Sequence, residues 1–229
     1  MAADAAGGPE PSEQSVPRII EDDVTGVEIE VLDKHCYLLR SALGMEEQLA
    51  LFEHIQANDK TDWDAPRAMN PSPKTLLLGD DEPCLRYEFG QESLINASIS
   101  KANNILGRHL RIDDVDLCNY TSITMAAIQY ASPNGRFPAH IDHCNGSFVY
   151  LMSLGCAANF MVKGPGMECK KTFKFNSGDL LVFNASTEAA ILHEVVSIVE
   201  GEESCPEELG NIFPVLRKNR YGVQCRVHL

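Results

Sequence analysis

Between Thr124 and Val227 the sequence is cut into short apolar runs, each closed by a cluster of Gly, Pro, Asn or Ser. They cover residues 124–130, 147–154, 159–162, 172–175, 179–183, 194–199 and 221–227. Runs this short cannot bury a helical face, but they suit strands of a few residues separated by tight turns. Seven or eight such strands in one stretch predict a β-sandwich or a jelly roll.

The first half has a different character. Residues 27–32, Val-Glu-Ile-Glu-Val-Leu, alternate apolar and acidic side chains as a half-buried strand does, and residues 36–40 predict a second short strand. Residues 44–55 place Met45, Leu49, Phe52 and Ile55 on one helical face, with Glu46 and Glu47 near the positive end of the dipole. Residues 93–106 predict another helix, packing through Leu94, Ile95, Ile99 and Ile105. Residues 59–90 read as loops with one short strand, and residues 200–209 as an acidic surface loop. The expected class is α+β, mainly β, with the N-terminal helices on one outer face of the sheets. Residues 1–20 are expected to be a disordered tail, because Met1 to Gln14 offer too little apolar surface to offset ordering. Residues 21–229 then form a single domain.

Composition narrows the setting. No stretch approaches the roughly 18 apolar residues of a membrane span, so no membrane partner is expected. The N-terminus has no apolar core of a secretory signal, and the eight cysteines form no C-x-x-C pair. Reduced thiols, a cytoplasmic or nuclear location and a monomer are the expectation. Cys156 and Cys225 sit inside apolar runs and read as core residues. The formal charge of −14 weakens the case for a duplex nucleic-acid partner, which calls for clustered Lys and Arg.

His140-Ile-Asp142 carries the first chemical signal. In an extended segment residues two apart point the same way, so the imidazole and carboxylate converge. The pair alone is common by chance, and the adjacent His143 is an alternative ligand. His193, at the head of the 194–199 run, is the best second imidazole. Two His and one carboxylate leave three open positions and suit Fe(II), whereas a closed structural zinc site wants four protein ligands.

The last run supplies the second signal. With a period of two, Arg220, Gly222, Gln224 and Arg226 share one face, and Tyr221, Val223, Cys225 and Val227 share the other. Either this is a solvated edge strand with scattered charges, or two arginines enter the sheet interior and need anionic partners. A dicarboxylate ligand would provide them through bidentate pairs.

In this order, His140-x-Asp142, His193 and Arg220-x-Gly-x-Gln-x-Arg226, the chain resembles the AlkB-like family of Fe(II)/2-oxoglutarate-dependent dioxygenases. That family's pattern is H-x-D, a distal His, then R-x-N-x-T-x-R. Ala127-Ile-Gln-Tyr130, Ser153-Leu-Gly155, Gly178-Asp-Leu-Leu-Val-Phe183 and the segment from Leu38 through Ile55 resemble further family stretches. The resemblance implies a double-stranded β-helix, which is a jelly roll. It implies Fe(II) held by His140, Asp142 and His193, with 2-oxoglutarate and O2 as cosubstrates. It implies that Arg220 and Tyr130 contact the distal carboxylate of 2-oxoglutarate, and that Arg226 stabilises its metal-proximal end near Asp142. Three positions depart from the pattern: Gly222 and Gln224 replace the Asn and Thr between the arginines, and Ile128 replaces an Asn before the tyrosine.

The reaction the resemblance implies is hydroxylation of a substrate C–H bond, which on an N-methyl group releases formaldehyde. N-alkylated bases in RNA or DNA are the first expected substrates, RNA slightly ahead; a protein or small molecule is the alternative. A flipped base needs an aromatic wall, for which Trp63, Tyr87 and Phe137 are candidates beside the alternative of ordinary packing.

Overall fold

The apolar runs of the second half become strands that alternate between two sheets. A computed structural model describes residues 18–61, 73–79, 83–88, 93–110 and 119–229. The first half comprises β1 (Arg18–Glu21), β2 (Glu28–Asp33), β3 (Cys36–Arg40), α1 (Met45–Asn58), β4 (Lys74–Thr75), β5 (Leu85–Glu88) and α2 (Leu94–His109). The second comprises β6 (Ser122–Ala131), β7 (Phe137–Ile141), β8 (Ser147–Gly155), β9 (Ala158–Lys163) and β10 (Lys171–Phe175). It continues with β11 (Leu180–Asn184), β12 (Leu192–Ile198), α3 (Glu207–Ile212) and β13 (Asn219–His228).

The large sheet runs β1-β2-β3-β11-β8-β13-β6-β4, with β5 also on β6; the small sheet runs β10-β9-β12-β7. From β6 onward, β6, β8, β11 and β13 lie in one sheet and β7, β9, β10 and β12 in the other. This alternation, with antiparallel pairing throughout, is the double-stranded β-helix.

Two apolar layers hold the arrangement together. The outer layer packs α1 and α2 on the large sheet and includes Leu51, Phe52, Ile55, Ile95, Ile99 and Ile105. Phe52 meets the rings of Phe213 and Tyr221 edge-on at 4.9 and 5.0 Å. Tyr221, Val223, Cys225 and Val227 of β13 belong to this layer. The inner layer lies between the sheets and includes Leu38, Val149, Phe160, Phe175, Leu181 and Phe183. The period of two in β13 therefore turns Arg220, Gly222, Gln224 and Arg226 toward the small sheet.

Local chemistry sets the helix ends. The Glu47 carboxylate accepts from the Gly44 N–H at 2.7 Å, and the Ser93 hydroxyl accepts from the Asn96 N–H at 3.1 Å. At the far end of α2, Arg108 and His109 both reach Asp22 in the β1–β2 turn at 2.7 Å. The Arg108 guanidinium holds this solvent-shielded carboxylate well below the usual range.

Some local expectations differ from the fold. Arg18–Glu21, at the boundary of the expected tail, form a strand paired with β2. The described residues of 59–90 include two short strands, where one was expected, and Glu207–Ile212, which overlap the expected acidic loop, form a helical turn that buries Leu209. All described cysteines are free, and Cys156 and Cys225 are fully buried. Among the described residues no helix is long and apolar enough to cross a membrane.

Candidate metal centre and ligand cavity

His140 and His193 become neighbours because β7 and β12 pair antiparallel in a register that sets one opposite the other. Their ring centroids are 4.2 Å apart. Asp142 follows just past the end of β7, with Oδ1 3.7 Å from His140 Nε2. The potential ligand atoms of His140, Asp142 and His193 all lie within 4.8 Å of one another. The adjacent His143 does not join them; its Nδ1 is 3.4 Å from the Thr187 hydroxyl.

The tautomers follow from the backbone. His140 Nδ1 is 2.9 Å from the Pro138 carbonyl and His193 Nδ1 is 3.1 Å from the Ile191 carbonyl. A carbonyl only accepts, so each Nδ1 donates and each Nε2 is left to face the site. Both imidazoles use the same device, a carbonyl two residues upstream. Fixing the tautomer this way is how proteins orient metal-ligating histidines. His193 packs against Phe183, with centroids 4.8 Å apart. Burial, with the nearby His140, pushes its pKa down to about 4, so it is neutral and ready to ligate at physiological pH. Two oriented imidazoles and one carboxylate are a donor set that fits a divalent first-row metal with open positions.

Beside these side chains lies a cavity of about 70 Å³ between the sheets. This is room for several water-sized groups. Tyr130, Phe137, Leu151, Arg220, Gly222 and Gln224 line it together with His140 and His193. Arg220 is completely buried, and its Nε and Nη2 have no hydrogen-bond partner among the described residues. The rings of Tyr130 and Phe175 each lie 5.3 Å from its guanidinium carbon. Burial pulls its pKa down to about 10, so it remains charged at neutral pH. An unpaired cation in such surroundings is costly, which makes the cavity end at Arg220 a site for an anion.

Arg226, six residues further along the same face of β13, donates from Nη2 to Asp142 Oδ2 at 2.9 Å. Burial raises the Tyr130 pKa, so its hydroxyl keeps its proton and can donate. Gly222 is accounted for by space: a Cβ there would stand 2.8 Å from Arg220 Nη1 and 3.4 Å from Tyr130 Cε2. All three departures noted in the sequence, Ile128, Gly222 and Gln224, line the same cavity.

Of the aromatic candidates for a substrate wall, Phe137 is at the site, 4.7 Å from the His140 ring. Tyr87 is not: its hydroxyl meets His54 Nε2 at 2.5 Å and its ring packs on the helix-side layer. Trp63 lies outside the described residues. Sequence reasoning missed Gln224 as a partner of Asp142, and missed the orienting carbonyls of Pro138 and Ile191. No side-chain signal marks a carbonyl donor.

The fold and this cluster define the class: a double-stranded β-helix carrying two histidines and one carboxylate beside a buried arginine. No protein-family model matches the sequence, and no curated protein sequence does. Solved structures do. OsALKBH1 superposes with a TM-score of 0.63 at 17% identity, over 87% of this chain and all (100%) of that one. A Pseudomonas putida prolyl-4-hydroxylase superposes with a TM-score of 0.50 at 12% identity, over 86% of this chain and 95% of that one. At these identities what is shared is the fold.

Proposed function

We propose that the protein is an Fe(II)/2-oxoglutarate-dependent dioxygenase. The observation that carries this reading is a His-Asp-His donor set beside a cavity that also holds a buried arginine whose Nε and Nη2 have no partner among the described residues. His140, Asp142 and His193 would hold the iron, and Arg220 with Tyr130 would bind the distal carboxylate of 2-oxoglutarate. When bound, Fe(II) and 2-oxoglutarate supply O2 activation and oxidation of a substrate C–H bond. The chain's own contribution is orientation and dryness. The carbonyls of Pro138 and Ile191 aim the two imidazoles, Arg226 holds Asp142, and Phe160, Phe183 and Val195 exclude water from the His193 side.

The substrate reading is oxidative demethylation of N-alkylated bases in RNA or DNA. It rests on the AlkB-like order of motifs, on the fold likeness to OsALKBH1, and on Phe137 as a ring beside the donor set. The formal charge of −14 favours a second reading, a protein or small-molecule substrate of the same chemistry.

Purified protein with Fe(II), 2-oxoglutarate and O2 should release succinate faster with methylated RNA or DNA oligomers than with unmodified ones. Decay of 2-oxoglutarate that no oligomer stimulates would remove the demethylase reading and keep the dioxygenase. Asp142→Ala should abolish iron-dependent turnover, and retained turnover would overturn the ligand assignment.

A further inference from the structure

The two carboxylate oxygens of Asp142 have different surroundings. Oδ1 faces His140 Nε2 at 3.7 Å. Oδ2 accepts two hydrogen bonds, from Arg226 Nη2 at 2.9 Å and from Gln224 Nε2 at 3.3 Å. Both donors come from the same face of β13, two residues apart, so one strand delivers both to one oxygen.

The arginine alone does not fix this carboxylate. Arg226 contacts it through Nη2, while its Nε has no partner among the described residues, so the pair is not a two-pronged fork. The last torsion of an aspartate is broad and roughly two-fold. A carboxylate held at one point can therefore rotate and exchange its oxygens, or present both to a cation. A second donor at a different bearing removes that freedom, and a neutral amide does so without adding charge.

We infer that Gln224 is a positioning residue that, with Arg226, occupies Asp142 Oδ2 and leaves Oδ1 as the single oxygen presented to the metal. The consequence is coordination number. A one-oxygen aspartate gives three protein atoms and keeps three positions open on an octahedral ion, whereas a two-oxygen aspartate closes one of them. The inference rests on the metal-centre reading above and deepens it.

The test is titration of the metal-free protein with Co(II), read by affinity and by visible d–d absorption. Wild type, Asp142→Ala, Gln224→Met and Gln224→Leu are compared. Both Gln224 variants keep apolar bulk and lose the amide. Outer-shell partners typically affect metal affinity 10–100-fold. The Gln224 variants should bind Co(II) about tenfold more weakly or worse, with shifted band positions. Wild-type affinity and unshifted bands in either folded variant would overturn the inference while the metal centre stands. Failure of wild type to bind Co(II), or equal binding by Asp142→Ala, would instead overturn the metal-centre reading and this inference with it.

Discussion

Arg220 carries a full charge in a setting where the described residues offer it two aromatic faces and no hydrogen-bond acceptor for Nε or Nη2. Replacing buried charges with apolar groups of similar volume is often neutral or stabilising by about 1–4 kcal/mol. Arg220→Met should therefore melt at the same temperature as wild type or higher when ligand is absent. Its affinity for 2-oxoglutarate should fall about 100-fold, since bonds to charged groups contribute about 1.5–3 kcal/mol each. Thermal melts with and without 2-oxoglutarate check both parts; clear destabilisation of the ligand-free variant would mark Arg220 as structural instead. His193 makes a prediction about pH. Its folded pKa lies at about 4, below an ordinary value of 6.5, so the unfolded chain binds more protons between these limits. Metal-free stability should be fully present above pH 6.5 and decline toward pH 4, by about 3 kcal/mol at most. Urea unfolding at pH 7, 5.5 and 4.5 should show the decline in wild type and a smaller one in His193→Gln. These residues were legible in the sequence because each is a chemically distinctive side chain in a periodic context. Gln224 was read only as a departure, because its role depends on the distance between two strands.

Among elements, β13 was readable in advance because strict alternation divides its residues between two different environments. β7 was harder to see. Pro138 interrupts it, and its residues are only partly covered, so no apolar run marks it. The helix α3 hid inside an acidic segment, where Glu207 and Glu208 suit a helix N-terminus and only Leu209 and Gly210 are buried. Turn glycines give an element-level prediction. Gly155, at the end of β8, has φ +80°, and a Cβ there would collide with the Asn219 carbonyl oxygen. Gly155 also pairs with Arg220 across β8 and β13, so displacement at this point shifts the buried guanidinium. Gly146 has φ +71° but open space around it. Gly146→Ala should cost about 1 kcal/mol, the left-handed backbone penalty alone. Gly155→Ala should cost clearly more and also weaken 2-oxoglutarate binding; equal losses in denaturant melts would contradict the packing argument.

For the molecule as a whole, two extensive layers of buried apolar side chains hold sheets and helices together, so the metal is expected to tune stability rather than create the fold. Ligand at 100 times its Kd adds about 2.7 kcal/mol. Chelation should remove that increment and leave a folded protein, as near-ultraviolet circular dichroism and melting would show; unfolding on chelation would count against this view. The position of β7 has a further consequence. Among the described residues it lies at the rim of the small sheet and is paired on one flank only, by β12, yet it carries His140, while His193 sits on an interior strand. A coordinated ion would thus staple a rim strand to its inner neighbour. Amide hydrogens of β7 should exchange rapidly in the metal-free protein and slow markedly when metal binds, with β8 and β13 little changed. Departure of the ion would then follow the opening of that strand, making its residence time a property of the sheet margin as much as of the three donor atoms.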